Sequence, residues 1–140
     1  MVESQVLVLT PIGIIHSTYR TVGQAPRQGS GREEICQVEV FPAFGEGLRN
    51  IEMFSRLVLI YWFHRSTGYS LSVTPPGEVK PRGLFASRSP RRPSPLGLCI
   101  VELLAREGNV LKVRGLDAID GTPLLDIKPY LSHIDERGGV

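Results

Sequence analysis

The sequence predicts an all-β chain, a small antiparallel β-barrel with one short helix and long loops rich in proline and glycine. Three observations predict this class. The 140 residues include 15 glycines and 11 prolines, which interrupt helices and favour turns. The apolar residues fall into short runs typical of strands. Helical spacing of apolar residues is sustained over only about two turns.

The composition is that of an ordinary globular chain. Hydrophobic residues make up 41% and charged residues 21% of the sequence, which excludes a disordered chain or a coiled coil. A chain of this length usually forms one domain, and no internal repeat is present. We therefore expect a single domain over residues 1–140.

The N-terminal part of the chain contains two predicted strands and the predicted helix. Residues 6–9 and 12–15 are apolar and flank Pro11, so they predict one opening strand bent at the proline. Residues 36–40 alternate apolar and polar side chains, as a strand with one wet face does. Leu48, Ile51 and Phe54 recur at helical spacing and predict the short helix.

Residues 57–63 form the longest apolar run, with branched and aromatic side chains on both faces. This pattern predicts a central strand that is buried on both sides. A small barrel covers the outer face of few strands, so the same run suggests a subunit interface.

The C-terminal part contains three further predicted strands. Residues 68–82 include three prolines and predict a long loop. Strands are predicted at 97–104 and 110–116, joined by a turn at 106–109, and the last at 123–127.

Several function classes are excluded or disfavoured. The two cysteines, Cys36 and Cys99, form neither a disulfide framework nor a zinc motif, and the three histidines are scattered, so no metal is expected. Phosphate-binding glycine motifs are absent. The apolar run at 57–63 is far shorter than the ~20 residues that span a bilayer. We expect a cytoplasmic protein.

Positive charge is concentrated in one segment. The net charge is only +2, but residues 79–101 contain five Lys and Arg residues and no Asp or Glu. Within residues 82–98, three prolines prevent a regular strand or helix and stiffen the chain around the arginines. Such a segment is either a solvated loop or a grip for an anionic or planar partner.

A second segment, residues 117–130, carries three carboxylates near a tight turn. Asp120 and Gly121 form the turn, and Gly121 supplies a positive φ. We expect the turn to leave backbone N–H groups exposed. It is either an ordinary hairpin turn or a site for the amine, hydroxyls or adenine of a small polar ligand.

These two segments, RGLFASRSPRRPSPLG and DAIDGTPLLDIKPY, resemble the TsaA-like family of β-barrel proteins. The stretches PIGIIHSTY, QAPRQG and LVLIYWFHRS also match, so the similarity spans nearly the whole chain. Family members include the tRNA adenine-37 N6-methyltransferase. The resemblance implies a methyltransferase dependent on S-adenosyl-L-methionine (SAM), with six or seven barrel strands and a homodimeric assembly.

The resemblance also implies the residues of a SAM site. Carried over by motif position, they lie in five places along the chain: Gln28 and Gly29, His64 and Arg65, Arg88, Leu98, and Asp120, Gly121, Thr122 and Pro123. The sequence departs from the family pattern at Ser87, Ser94 and Leu96. It also lacks the C-terminal extension of many bacterial members, which bears on tRNA recognition more than on SAM binding.

Catalytic and RNA-binding roles follow from the implied reaction. The methyl donor is already activated, so alignment matters more than an activated nucleophile. A hydrogen-bond acceptor at the adenine N6–H would favour transfer, and Asp120 is the candidate. We expect Arg82, Arg91 and Arg92 to contact phosphates of the tRNA anticodon loop, and Arg88 to serve both cofactor and RNA.

Two other functions stay open at this point. The concentrated arginines alone would suit a non-catalytic RNA-binding barrel, whose affinity would not depend on SAM. A SAM-dependent enzyme with a small-molecule substrate is the other alternative, because a short barrel reaches only a little way along a tRNA.

Overall fold

The structure, a computed structural model, describes residues 5–19 and 34–136. Within these ranges the regular structure is almost entirely β. The strands are β1 (Gly13–His16), β2 (Ile35–Val40), β3 (Arg56–Trp62), β4 (Ser72–Val73), β5 (Arg82–Gly83), β6 (Leu96–Glu107), β7 (Val110–Arg114) and β8 (Pro123–Pro129). The helical segments are α1 (Ser132–Asp135) and 3-10 turns at Pro42–Leu48, Ile51–Met53 and Leu84–Ala86.

Six strands close into a barrel in the order β1-β2-β7-β6-β3-β8, with β8 pairing back onto β1. Every neighbouring pair is antiparallel. The remaining two strands, β4 and β5, form a separate two-stranded sheet. The all-β barrel predicted from the sequence is confirmed, with six strands.

Strand β6 contributes to two sides of the barrel. Its first half pairs with β3, from Leu96 opposite Trp62 to Glu102 opposite Arg56. Its second half pairs with β7, and the register shifts between Leu103 and Ala105. A bulge of this kind bends a strand, which lets one strand turn a corner of a small barrel.

The core fills the barrel with alternate residues of each strand. On β6 the side of Gly97, Cys99 and Val101 faces inward, whereas Leu98 and Ile100 face outward. The largest fully buried side chains of the described residues are Ile15, Val38, Val40, Leu57, Leu59, Tyr61, Leu84, Val101, Leu111, Val113, Leu116 and Leu124. Burying side chains of this size stabilises the fold by roughly 1.5–3 kcal/mol each.

The strand predicted at residues 6–9 is absent, which corrects the sequence-based expectation. Val6, Leu7 and Val8 are 89%, 79% and 84% exposed and belong to no sheet. Strand β1 is already paired on both edges, with β2 and β8, so the closed barrel offers the preceding segment no edge. Pro11 also lacks the N–H that a continuing ladder needs.

The predicted helix at residues 48–55 is replaced by two 3-10 segments, Pro42–Leu48 and Ile51–Met53. They are separated at Asn50, whose φ of 71° breaks any continuous helix. The short α-helix lies instead at Ser132–Asp135. Over residues 5–19 and 34–136, no helix is both long and apolar enough to cross a bilayer.

Strand β3 is buried on one face only, which corrects the expectation of two buried faces. Leu57, Leu59 and Tyr61 are buried in the barrel, but Trp62 on the outer face is 43% exposed. The neighbouring strand adds further apolar groups to this face. We call the set the outer apolar face: Val58, Ile60, Trp62, Leu96, Leu98 and Ile100.

Gly97 permits the tightest packing around Tyr61. A Cβ atom at position 97 would lie 2.5 Å from Cε2 of Tyr61 and 2.8 Å from Cζ of Phe63. These two rings contact each other edge to face, with centroids 5.6 Å apart. The missing side chain of Gly97 therefore makes room for both rings.

Replacing Gly97 with alanine is expected to lower the free energy of unfolding by about 1–3 kcal/mol, because overpacking displaces both rings. Gly47→Ala is the matched control, since nothing lies within 4 Å of the added Cβ. Urea unfolding followed by circular dichroism measures both variants. Equal stabilities of the two would contradict this account of the packing.

Candidate active site

One end of the barrel collects most of the predicted site residues. Strands β1 and β3 end there, while β6 and β8 begin there, since Trp62 pairs with Leu96 and Tyr61 with Leu124. The connection between β7 and β8, residues 115–122, is hydrogen-bonded to the same end. We call this region the site end.

The connection is anchored from inside the barrel by a Tyr–Asp pair. The hydroxyl of Tyr61 donates a hydrogen bond to Oδ1 of Asp117. Burial, and then the charge of Asp117, raise the pKa of Tyr61 well above its usual value. The hydroxyl therefore stays protonated and remains a donor to the carboxylate.

Cys99 lies beside this pair. Its thiol contacts the carbonyl oxygen of Gly115 at 3.2 Å. Burial, followed by the charge of Asp117, raises the pKa of Cys99 to about 12. A thiol with such a pKa is not a nucleophile at neutral pH, so Cys99 is a buried packing residue as its place in an apolar strand indicates.

The turn at Asp120 and Gly121 differs from the expectation of exposed backbone amides. The N–H groups of Asp120, Gly121 and Thr122 donate to the carbonyls of Tyr19 (2.6 Å), Ile15 (2.8 Å) and Ile119 (3.3 Å). Gly121 has a φ of 85°, so the positive φ is confirmed. The first two of these bonds secure the turn to β1 and the residues that follow it, the third closes the turn on itself, and none of the three amides is available to a ligand.

Thr122 is turned into the protein. It is 2% exposed, and its hydroxyl donates to the carbonyl of Ile119 at 2.7 Å. Pro123 follows as the first residue of β8. Within the turn, the group that faces outward is the side chain of Asp120.

The carboxylate of Asp120 is held at the rim of the barrel. Its Oδ1 accepts the backbone N–H of Ser17 at 3.0 Å and lies 4.0 Å from Nδ1 of His16. The other ring nitrogen of His16 is 2.8 Å from Oε1 of Glu39. The side chain of Asp120 is 31% exposed, so a fixed acceptor faces the solvent at the site end.

His64 has a buried ring atom with unused hydrogen-bonding capacity. Its Nδ1 is buried and has no hydrogen-bond partner. The ring packs against Trp62, with centroids 6.1 Å apart. Arg65 follows at an exposed position. A buried polar atom without a partner is costly, and a bound ligand is one way to satisfy it.

The segment between β5 and β6, residues 84–95, is fastened to the end of β3. We call it the arginine strap. The carbonyl of Pro90 accepts the hydroxyl of Ser66 at 3.0 Å, and the carbonyl of Pro95 accepts the N–H of Phe63 at 2.8 Å. The prolines predict no regular strand or helix over residues 82–98. This holds for residues 87–95, whereas β5, a 3-10 turn and the start of β6 occupy the two ends of that range. The strap therefore lies beside the site end.

Arg88 belongs to the arginine strap, which lies beside the same end. Its positive charge acts on both Tyr61 and Cys99, partly offsetting the rise of their pKa values. Asp120 belongs to the same connection as Asp117, the partner of Tyr61. The structure thus brings Arg88 and the Asp120 turn to one end of the barrel.

The three arginines predicted to contact RNA differ in their surroundings. Arg82 pairs with Glu78 and donates to the carbonyl of Ala86 at 3.1 Å. Arg92 is half-buried and donates to carbonyls of the strap itself. Arg91 is exposed, and its side chain makes no hydrogen bond or ion pair with the residues that the structure describes.

Among the predicted cofactor contacts that the structure describes, Leu98 lies apart from this cluster. Leu98 is 41% exposed on the outer apolar face, opposite Ile60. Gln28 and Gly29 lie outside the described residues. Among residues 5–19 and 34–136, no group of three or more His, Cys, Asp or Glu side chains could hold a metal.

Two clefts lie elsewhere on the barrel. One, of about 530 Å³, is lined by the 3-10 segments and by Ile12, Val40 and Ile127. The other, of about 400 Å³, lies on the outer apolar face and includes Leu98 and Ile100. Neither is lined by His64, Arg88 or Asp120.

Sequence reasoning missed the role of Asp117. Asp117 is one of the three carboxylates of residues 117–130, and Tyr61 lies in the strand predicted at residues 57–63, but no sequence pattern pairs them. Only the fold brings the two together, since they are 56 positions apart. A carboxylate three residues before the turn was the available signal.

A known protein family matches most of this chain. The sequence model of the tRNA-methyltransferase O N-terminal domain matches residues 14–136. The chain belongs to this family. The match includes β1 to β8, the arginine strap and the Asp120 turn, so the family assignment covers the whole site end.

Relatives of this tRNA-methyltransferase O domain include proteins of different length. Two from Archaeoglobus fulgidus, named "Probable S-adenosyl-L-methionine-binding protein" and "S-adenosyl-L-methionine-binding protein", are 48% and 44% identical over 94% and 92% of this chain. The chain spans 36% of the first and 93% of the second. A mouse tRNA (adenine(37)-N6)-methyltransferase is 34% identical over 95% of this chain, which spans 33% of it.

A solved structure agrees in fold. The crystal structure of TrmO from Pseudomonas aeruginosa superposes with a TM-score of 0.81 at 32% identity. The match covers 97% of this chain and 61% of that one. The barrel described above is therefore the fold of the family.

Tyr61→Phe is expected to lower the free energy of unfolding by about 1–3 kcal/mol, because it leaves the half-buried Asp117 carboxylate without its hydroxyl donor. The control is Tyr130→Phe, which removes an exposed hydroxyl bound to Glu136 and should change stability little. Thermal unfolding of both variants provides the measurement. A neutral Tyr61→Phe would mean that the pair does not anchor the connection.

Proposed function

We propose that this chain is a SAM-dependent methyltransferase of the cytoplasm that methylates N6 of adenosine 37, with or without its threonylcarbamoyl group, in the tRNA anticodon loop. The observation that carries the proposal is the meeting of the arginine strap and the Asp120 turn at one barrel end, in a chain of this family. The names of the archaeal and mouse relatives support the cofactor and the substrate.

The residues at the site end suit SAM. When bound, SAM supplies an activated methyl group on a positively charged sulfur. His64 offers a buried ring nitrogen without a partner, suited to a polar group of the ligand. Arg88 suits its carboxylate, and the partly exposed carboxylate of Asp120 suits its amine or ribose hydroxyls.

The apolar groups beside this cluster suit the sulfonium. The positive charge on sulfur disappears during transfer, so an anion next to it would stabilise the ground state more than the transition state. Trp62, at the end of β3, and Pro123, at the start of β8, offer a neutral wall instead. We assign the acids to the polar ends of the cofactor.

Asp120 also accounts for activation of the adenine. The N6 lone pair is delocalised into the ring, and an acceptor at the N–H helps it to localise on nitrogen as the methyl–nitrogen bond forms. SAM would supply the methyl group and keep the electron pair of the methyl–sulfur bond on its sulfur, and the N6 proton would pass to water after the transfer. The bond from Ser17 N–H fixes the carboxylate for this role.

The RNA is held outside the barrel. A base in a single-stranded loop can be splayed out of its stack at small cost. The exposed Arg91, and Arg82 on β5, lie on the same segment as Arg88 and suit the phosphates beside the flipped base.

Titration calorimetry and a methylation assay test the function together. We expect heat of SAM binding, and transfer of one labelled methyl group from SAM to tRNA, located on adenosine 37 by nuclease digestion and mass spectrometry. Asp120→Asn keeps an oxygen acceptor for Ser17 but loses the charge, and it should lower kcat by about 100-fold.

Asp126→Asn is the control for this variant, since Asp126 pairs with Lys128 on β8, away from the turn. It should retain wild-type kcat. Absence of SAM binding at millimolar ligand would overturn the proposal. RNA binding without any methylated product would favour a non-catalytic RNA-binding barrel, and methylation of a metabolite alone would favour the small-molecule enzyme.

The outer apolar face supports a homodimer as part of this proposal. Six apolar residues of β3 and β6 face outward next to each other, with Trp62, Leu98 and Ile100 each more than 40% exposed. A second copy of the chain would cover them. Leu98 lies on this face although it is among the cofactor contacts implied by the family, so a site completed near the subunit interface would explain its position.

Sedimentation velocity tests the dimer. The wild type should sediment at twice the monomer mass, and Ile100→Glu should shift it to the monomer, because a charge cannot be buried unpaired in an apolar interface. Val79→Glu, at an apolar position 92% exposed outside this face, is the control and should remain dimeric. A monomeric wild type at micromolar concentration would exclude the homodimer.

A further inference from the structure

Two adjacent arginines of the strap make different contacts. Arg91 is exposed, and its backbone N–H donates to the hydroxyl oxygen of Ser89 at 3.3 Å, whereas its side chain has no hydrogen-bond partner among residues 5–19 and 34–136. Arg92 is half-buried, and its guanidinium donates to three backbone carbonyls. Two identical side chains at neighbouring positions therefore differ in exposure and in hydrogen bonding, which indicates different roles.

The Arg92 guanidinium brackets Arg88. Its Nη1 donates to the carbonyl of Ser87 at 3.1 Å and to that of Ser89 at 2.9 Å, the residues on either side of Arg88. Its Nη2 lies 3.4 Å from the carbonyl of Leu84. Since the guanidinium is a rigid planar fork, it holds these carbonyls at fixed positions relative to one another.

The strap needs such a clamp. Residues 87–95 belong to no strand ladder, and their prolines cannot donate hydrogen bonds. A ladder would otherwise fix the direction of each side chain. The hydroxyl of Ser87, which donates to the carbonyl of Leu84 at 2.7 Å, reinforces the same turn.

The packing around Arg92 favours this inward position. Its guanidinium carbon lies 5.9 Å from the centre of the Phe85 ring, a contact of the cation–π type. Phe85 belongs to the 3-10 turn Leu84–Ala86, which is followed directly by Ser87, whose carbonyl accepts a hydrogen bond from Arg92. The side chain is thus held from within the strap and does not project from it.

We propose that Arg92 is a positioning residue, which clamps the backbone around Arg88 and fixes the direction of the Arg88 side chain at the cofactor site. The inference rests on the proposed function, because it takes Arg88 as a SAM contact. Arg92 is thereby removed from the predicted phosphate contacts, and Arg91 keeps that role.

The decisive measurement is SAM affinity by titration calorimetry in five proteins: wild type, Arg92→Ala, Arg92→Lys, Arg91→Ala and Arg88→Ala. Arg92→Ala should weaken SAM binding about tenfold, since a misdirected Arg88 loses alignment. Arg92→Lys should fail to restore it, because one ammonium group cannot replace the fork. Arg91→Ala, the matched control, should bind SAM as the wild type does.

A double variant separates positioning from general loss of structure. Once Arg88 is alanine, Arg92→Ala should cause no further loss of SAM affinity, because the clamp then has nothing to direct. Losses that multiply in the double variant would overturn the proposal. The free energy of unfolding is measured alongside, and binding is compared at a temperature at which every variant is folded.

RNA binding gives an independent readout. Arg91→Ala should reduce the slope of log affinity against log salt by about 0.7, the value for one phosphate contact on a single strand. Arg92→Ala should leave this slope unchanged. An equal reduction by both variants would restore Arg92 as a phosphate contact and overturn the proposal.

The outcomes distinguish this inference from the proposed function. If the wild type fails to bind SAM, both are overturned. If the wild type binds SAM and Arg92→Ala or Arg92→Lys binds it equally well, the positioning role alone is wrong.

Discussion

The arrangement of the site end depends on the contact between Tyr61 and Gly97. Because position 97 has no side chain, the ring of Tyr61 lies across it inside the barrel, in contact with Phe63. From there the tyrosine hydroxyl reaches Asp117 and fixes the connection that carries Asp120. Phe63, in turn, is bound to the strap through Pro95. Both segments of the candidate site are thus fastened to the same aromatic pair.

Local patterns predicted the barrel strands well. The alternation at 36–40 corresponds closely to β2. The predicted turn at 106–109 lies at the β6–β7 hairpin, but β6 continues to residue 107 and only residues 108–109 connect the strands. The strand predicted at residues 6–9 does not form. Strand propensity does not indicate whether another strand offers a free edge for pairing. The helix predicted from Leu48, Ile51 and Phe54 is interrupted because Asn50 takes a left-handed conformation. The helical spacing of apolar residues does not reveal that conformation.

The candidate site was predictable as a set of residues and not as a set of contacts. The family resemblance implies Arg88 and Asp120 as site residues. It does not reveal that the backbone amides of Asp120 and Gly121 donate to Tyr19 and Ile15, near the other end of the sequence. Arg91 and Arg92 are likewise indistinguishable in the sequence. They differ only because the backbone around Ser87 and Ser89 curls so that one guanidinium meets three carbonyls.

The seam between β1 and β8 has a consequence for how the site comes into being. It joins the beginning of the barrel to its last strand, and the Ser17–Asp120 bond beside it links residues 103 positions apart. Contacts of such long sequence separation carry the greatest loop-closure entropy and slow the folding of β-barrels. A folding intermediate in which β1 and β8 have not yet paired would still contain the arginine strap. In that intermediate, however, Asp120 would lack its hydrogen bond from Ser17, the residue that follows β1. The candidate site would then be complete only after β1 and β8 have paired and closed the barrel.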